Sequence, residues 1–258
     1  MLGTVIYEKQ ANIVIITLNR PEVLNAMNRQ LKADLTKALD WFENDTEADV
    51  AIITGAGRAF CSGRDLRERS DDAAAGIQAR SIDSMRADHP YMWAQPSKPL
   101  IAAVNGYALA GGWAIAQMCD LRLAAETALL GITESKMGLL PPFASLLPKV
   151  LPMSVVLELV FTATPITAQR AYEIGFLNKV TPDDLLLTEA LSLARAVSEN
   201  APLSLRYFKD LAYRGLDMSN TDLANLTHEL YDSLLSSEDA QEGPRAFVER
   251  RKPQWKGQ

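Results

Sequence analysis

Cysteine and histidine each occur only twice, as Cys61 and Cys119 and as His89 and His228. That leaves no C-x-x-C or H-E-x-x-H spacing for a metal, and no framework of disulfides of the kind that staples small secreted domains. A Ser-His-Asp triad is a poor expectation for the same reason. No run of like charge is long, and 26 basic against 32 acidic side chains leave a net charge of only −6. Non-specific attraction to nucleic acid or to an anionic membrane surface is therefore not expected. The opening MLGTVIYEKQ lacks the basic start and apolar run of a signal peptide, and no apolar stretch reaches the length that spans a bilayer. A cytoplasmic location is the default expectation.

What the chain does have is core. Over 258 residues, 48% hydrophobic composition can fill one large domain, with room for an appendage. Two β-rich runs, 5–8 and 13–18, predict a hairpin or edge pair that Asn19-Arg20-Pro21 ends. Leu31, Leu35, Ala38, Leu39 and Phe42 recur at helical spacing behind a possible Asn28 cap. A buried strand is predicted over 50–54, and the polar, alanine-rich segment 65–94 is helical in part. Pro96 and Pro99 precede another strand at 100–104. Beyond the Gly111-Gly112 pair come a helix, a strand at 121–125 and a less regular stretch at 128–140. Strands and crossover helices in this rhythm predict an α/β protein with a mostly parallel sheet covered by helices. From about Pro152 the pattern turns almost wholly helical, with 177–180 as the exception.

Two places carry chemical interest. In NGYALAGGWAIAQMCD, residues 105–120, a strand feeds a glycine pair that opens a helix, which aims unpaired backbone N–H groups into open space at the positive end of the helix dipole. Glycine there also admits a ligand close to the main chain, or simply a tight helix-strand contact. AFCSGRDL, residues 59–66, follows a buried strand and turns through glycine in the same way, so the two turns can direct two N–H groups at one oxygen. Asp65 reads as a helix cap and Asp120 as a turn residue. Ser62 lacks a nearby base and is no convincing nucleophile. The stripe of Leu223, Leu226, Leu230 and Leu234 reads as packing rather than as a ligand groove.

AFCSGRDL, KPLIAAVNGYALAGG and MCDLRLAAETALLGITESKMGLLPP resemble, in order and spacing, the enoyl-CoA hydratase/isomerase family, also called the crotonase superfamily. LNRPEVLNAM near the start and EDAQEGPRAFVERRKPQWKG at the end extend the resemblance over nearly the whole chain. It implies a spiral of repeated β-β-α units over 1–195 and a helical region over 196–258 that makes a homotrimer, often a dimer of trimers. It also implies acyl-coenzyme A thioesters as substrates, with no cofactor beyond the coenzyme A that the substrate carries. In that picture the backbone N–H groups of Arg64 and Gly111 form an oxyanion hole on the thioester carbonyl. Only the main chain of Arg64 is needed, so an arginine where the family usually has alanine keeps the donor and re-charges the entrance.

The family's hydratases use two glutamates, and the aligned positions here are Ala114 and Glu134. One carboxylate favours moving a proton between carbons, a 3-enoyl to 2-enoyl shift, over adding water. Hydration with an unrecognised second group, and acyl-CoA binding without catalysis, are the alternatives. Apolar neighbours should desolvate the Glu134 carboxylate and raise its pKa; a surface glutamate paired with Lys136, or a cap after Thr133, is the plainer reading of the residues alone, and with the resemblance Glu134 is the expected acid/base. Pro142 stands where some family isomerases carry another carboxylate. Asp83, Asp88 and His89 fall where the family lines its acyl pocket, where one could serve as a second acid or base, but an exposed helix face and its end is the better reading of all three. By the same resemblance the main chain near Ala26, Ser62 and Leu66 holds the adenine, while Phe247 and Arg250 reach it from a neighbouring subunit. Arg250, Arg251 and Lys252 also read as a solvated basic helix end. RNA binding is disfavoured by Asp34, Asp40, Glu43, Asp45 and Glu47 on and just after the first helix.

Overall fold

The computed structural model describes residues 2–77 and 96–257. The chain opens with a hairpin, β1 (Val5–Gln10) against β2 (Ile13–Leu18), paired from Val5–Leu18 to Gln10–Ile13. Helix α1 (Arg29–Asn44) starts where expected, with the Asn28 side chain accepting from the Leu31 N–H at 2.8 Å. Its buried face is Leu31, Leu35, Ala38, Leu39 and Phe42, the stripe that the spacing predicts. The chain then runs through β3 (Val50–Gly55), β4 (Ala59–Cys61) and α2 (Leu66–Ala74). Next come β5 (Leu100–Val104), β6 (Tyr107–Leu109) and α3 (Gly111–Met118), then β7 (Leu121–Ala125) and β8 (Leu129–Gly131).

Three times, therefore, a strand of a large sheet is followed by a short strand of a second sheet and then by a helix or helical turn. Among the described residues the large sheet has the order β1-β2-β3-β5-β7-β10, where β10 is Lys179–Thr181. It is parallel from β2 onward. The smaller sheet has the order β4-β6-β8-β9, where β9 is Ile166–Thr167. Its strands of two or three residues are too short to show alternation, which is why the sequence reading has none of them. The last predicted strand, 177–180, lies at 179–181 instead. Helices α5 (Ala168–Glu173) and α6 (Leu186–Ser198) pack against these sheets, and α4 (Met153–Thr162) against the 3-10 turns that follow β8.

Why the large sheet sits inside follows from composition. β5 is buried at every position and β3 at Val50, Ala51, Ile52 and Ile53, the continuous apolar run of a parallel strand covered on both faces. Each fully buried Ile or Leu contributes roughly 2 kcal/mol. From Pro202 onward the protein is α7 (Pro202–Arg214), α8 (Asn220–Leu235), α9 (Glu238–Val248) and a tail. Asp120 does more than make the turn expected of it. Its carboxylate accepts from the Leu100 N–H, from Lys209 Nζ at 2.8 Å and from the Tyr213 hydroxyl at 2.9 Å, so it ties α7 to the end of α3 and the start of β5. The tail is held by two buried acids: Asp239 takes the Lys256 and Gly257 N–H groups, and Glu242 takes that of Gln254. In α8, Leu226 is buried and Leu223, Leu230 and Leu234 are half-buried, as packing residues would be. No helix among the described residues is long and apolar enough to cross a membrane.

Candidate active site

The segment 24–27 and the turn 62–65 run side by side. Ser62 N–H donates to Leu24 O, Met27 N–H to Gly63 O, and Asp65 N–H to Met27 O. In this parallel bridge between Met27 and Arg64, the flanking groups of Arg64 face Met27, so its own N–H points the other way. On the other side lies the second turn. A Cβ placed on Gly63 would stand 2.8 Å from Ala110 Cβ and 3.4 Å from Gly111 N, and one on Gly111 would meet Met27 Cε at 2.6 Å. Side chains are therefore excluded at both glycines because the two turns touch there. Gly111 opens α3, where N–H groups have no intrahelical acceptor. Neither Arg64 N–H nor Gly111 N–H has a hydrogen-bond partner among the described residues.

The turn is also strained. Ala110 holds φ 51° and ψ −116°, a conformation that costs a residue bearing a Cβ about 1–3 kcal/mol. Its N–H donates to Gly131 O at 2.8 Å, which fastens the end of β8 beside the donor pair. Glu134 follows three residues later, at the start of a 3-10 turn over Glu134–Met137 that Gly138 closes in a left-handed conformation. The Ser135 hydroxyl fixes this turn to Val160 O at 2.7 Å. Glu134 Oε2 is buried with no partner, and burial pushes the carboxyl pKa above the ordinary glutamate value, partly opposed by the N–H groups of Glu134 and Thr133. It makes no ion pair with Lys136 among the described residues. Ala114, one turn into α3, is buried and offers only a methyl group.

Ala26, Ser62, Arg64, Leu66 and Gly111 are thus brought to one region by the two strand-turn-helix corners, and Glu134 follows three residues after Gly131, which Ala110 N–H fastens there. Phe247 and Arg250 are not linked to them by any hydrogen bond or ion pair among the described residues. Phe247 is 85% exposed at the end of α9. Arg250 sits just beyond, at φ 54°, where its N–H caps Phe247 O while Arg251 N–H caps Ala246 O. Of the three basic residues at this end, Arg251 is engaged with Glu242 and Glu249 and Lys252 with Glu199. Arg250 has no ion pair among the described residues. Asp65 caps α2 as expected, through Arg67 and Glu68 N–H, and also pairs with Arg20. Asp83, Asp88 and His89 lie outside the described residues. No three His, Cys, Asp or Glu side chains among the described residues converge as metal ligands do.

Two further residues escaped the sequence reading. Gln117, 7% exposed on α3, donates to Phe143 O at 2.8 Å, which fixes its amide and leaves Oε1 buried and unpartnered. It lies three residues past Ala114, on the same helical face. Lys32, half-buried on α1, feels the charge of Arg64. No motif marks either of them.

The sequence of residues 8–258 matches the family model described as enoyl-CoA hydratase/isomerase. The chain belongs to that family. It is 36% identical to a mevalonyl-coenzyme A hydratase of Aspergillus fumigatus over 249 residues, 95% of this chain and 92% of that protein. It is 35% identical to a probable enoyl-CoA hydratase of Mycobacterium bovis over 257 residues, 98% and 97% of the two chains. The fold superposes on the crystal structure of an enoyl-CoA hydratase from Mycobacterium tuberculosis H37Rv with a TM-score of 0.88 at 35% identity, covering 99% of each chain. A family member of the hydratase/isomerase type is an acyl-CoA enzyme, and the crotonase spiral expected from the motifs is the fold observed.

Proposed function

We propose that the enzyme binds the thioester carbonyl between the N–H groups of Arg64 and Gly111, with Glu134 carrying the proton that moves. An oxyanion hole withdraws electrons through the carbonyl, which makes the α-carbon acidic and stabilises the enolate that forms. One such donor is worth about 2.7–4 kcal/mol in the transition state. Glu134, as the carboxylate, takes a proton from one carbon and returns it to another, converting a 3-enoyl to a 2-enoyl thioester. The observation that carries this reading is the pairing of a buried, unpartnered Glu134 oxygen with an alanine at position 114. A second reading is hydration of a 2-enoyl thioester. The relatives named above are hydratases, and the open Oε1 of Gln117 is an acceptor that can orient a water in place of a carboxylate at 114.

Incubation with matched 2-enoyl and 3-enoyl thioesters, followed by mass and double-bond position of the products, separates the two. Isomerisation leaves the mass unchanged, whereas hydration adds one water. Robust hydration by the unmodified protein sinks the single-carboxylate argument, and full activity in Glu134→Gln sinks the site.

Coenzyme A binding through Ala26, Ser62 and Leu66, with Phe247 and Arg250 arriving from another subunit, belongs to the same proposal. The unpaired Arg250 and the exposure of Phe247 support it. It requires a trimer, for which Leu140, Phe161 and Val248, each more than 75% exposed, offer apolar surface.

A further inference from the structure

Arg20 lies outside the two donor turns, yet its side chain grips the first of them and the segment that runs beside it. Residues 20–25 fold onto themselves: Arg20 O accepts from the Val23 and Asn25 N–H groups, and Arg20 N–H donates to Asn25 Oδ1 at 2.8 Å. Leu24 and Asn25 complete this loop at φ 54°, a left-handed conformation that residues with a Cβ rarely adopt. Asn25, fully buried, bolts the loop to the scaffold below, since its Nδ2 donates to Ala56 O at 2.9 Å and to Ala59 O at 2.7 Å. From this base the Arg20 guanidinium reaches across the segment 24–27. Its Nη1 donates both to Ala26 O and, at 3.1 Å, to Asp65 Oδ2. The Arg20 and Asp65 side chains are only 16% and 13% exposed, so solvent and salt screen this pair far less than one at the surface.

Both acceptors border the donor. Ala26 precedes Met27, whose N–H and carbonyl pair with Gly63 O and Asp65 N–H on either side of Arg64. Asp65 follows Arg64 directly, and its other oxygen caps α2 through the Arg67 and Glu68 N–H groups. Met27 also lies against the second turn, because a Cβ on Gly111 would meet its Cε at 2.6 Å. We propose that Arg20 is a positioning residue: by joining Ala26 O to Asp65 it fixes the direction in which the Arg64 N–H points. The inference rests on reading that N–H as a donor to the thioester carbonyl. Met27 and Arg64 form an isolated bridge, with no further ladder to stiffen it. The two N–H bonds of Nη1 diverge at a fixed angle, so one nitrogen holds its two acceptors in a fixed relation and supplies the missing cross-link. Such a link matters to rate, since a misplacement of about 1 Å can cost about 100-fold.

The test reads two quantities in the full chain. One is kcat for whichever of the matched 2-enoyl and 3-enoyl thioesters the unmodified protein turns over faster. The other is the infrared carbonyl stretch of the saturated analogue of that thioester, isotope-labelled at the carbonyl carbon and bound to the protein. Donors at the oxygen weaken the C=O bond, so binding to the unmodified protein should lower the stretch. In Arg20→Met, which keeps an apolar stem and loses both hydrogen bonds, kcat should fall by about tenfold or more and the carbonyl shift should shrink. Arg20→Lys should recover part of both. An unchanged kcat in Arg20→Met overturns the proposal. So does a fall in kcat with the full carbonyl shift retained, since Arg20 then serves the fold or the nucleotide and not the donor. Should Arg20→Met fail to fold, the shift is read in Asp65→Asn, whose Oδ1 still caps α2 while its amide turns N–H toward Arg20. A smaller shift there supports the proposal and an unchanged one overturns it. A carbonyl that the unmodified protein leaves unmoved sinks the proposed function itself, whereas a shift that survives the loss of Arg20 sinks only this inference.

Discussion

Glu134 sets two demands against each other. A carboxylate taken from water without a partner is costly, and its pKa is raised because the folded protein binds the proton more readily than the unfolded chain does. The penalty is therefore absent below the ordinary glutamate range and grows as pH rises through the folded pKa. Glu134→Gln removes it, so thermal unfolding should show a gain in stability at pH 7–8 that vanishes in acid. The same substitution should abolish exchange of the α-proton into heavy water, since the amide cannot take it. In the unmodified enzyme, kcat/KM should fall as pH drops through the raised pKa, at a pH above the ordinary glutamate value, because only the carboxylate accepts a proton. A variant that is both no more stable and still active would show that residue 134 is a surface glutamate.

At the scale of elements, the two glycine turns depend on close approach rather than on flexibility. A Cβ on Gly112 would stand 2.0 Å from Cys61 O, inside backbone that cannot move without pulling the turn 62–65 with it. Gly112→Ala should cost about 3 kcal/mol in a denaturant melt and lower kcat in the material that still folds. This also explains what was readable in the chain. The long strands, the α1 stripe and the Asn28 and Asp65 caps follow local rules, and the residues that carry them predicted them directly. Glu134 and the two turns were legible because ordered motifs span them. The short strands β4, β6, β8 and β9 were not, since two or three residues carry no period. Nor were Lys32, Gln117, or the links from Asp120 to Lys209 and Tyr213, which exist only after distant segments meet.

At the scale of the whole molecule, Leu140, Phe161, Phe247 and Val248 are each more than three-quarters exposed. Light scattering at micromolar concentration should give the mass of three chains or six, and a stable monomer would refute the assembly proposed for the coenzyme A site. The two buried thiols give a direct view of motion in the interior. Cys61 ends β4 beneath the first donor turn, taking the Gly63 N–H at 3.4 Å, and Cys119 follows the far end of α3. Burial pushes both thiols to about 12, so neither offers thiolate to an alkylating reagent while its surroundings are closed. The two labelling rates are consequently two clocks. If Cys61 is modified well before Cys119, the donor turn opens on its own while the rest of the core stays shut; if they react together, the corner opens only when the protein unfolds as a unit.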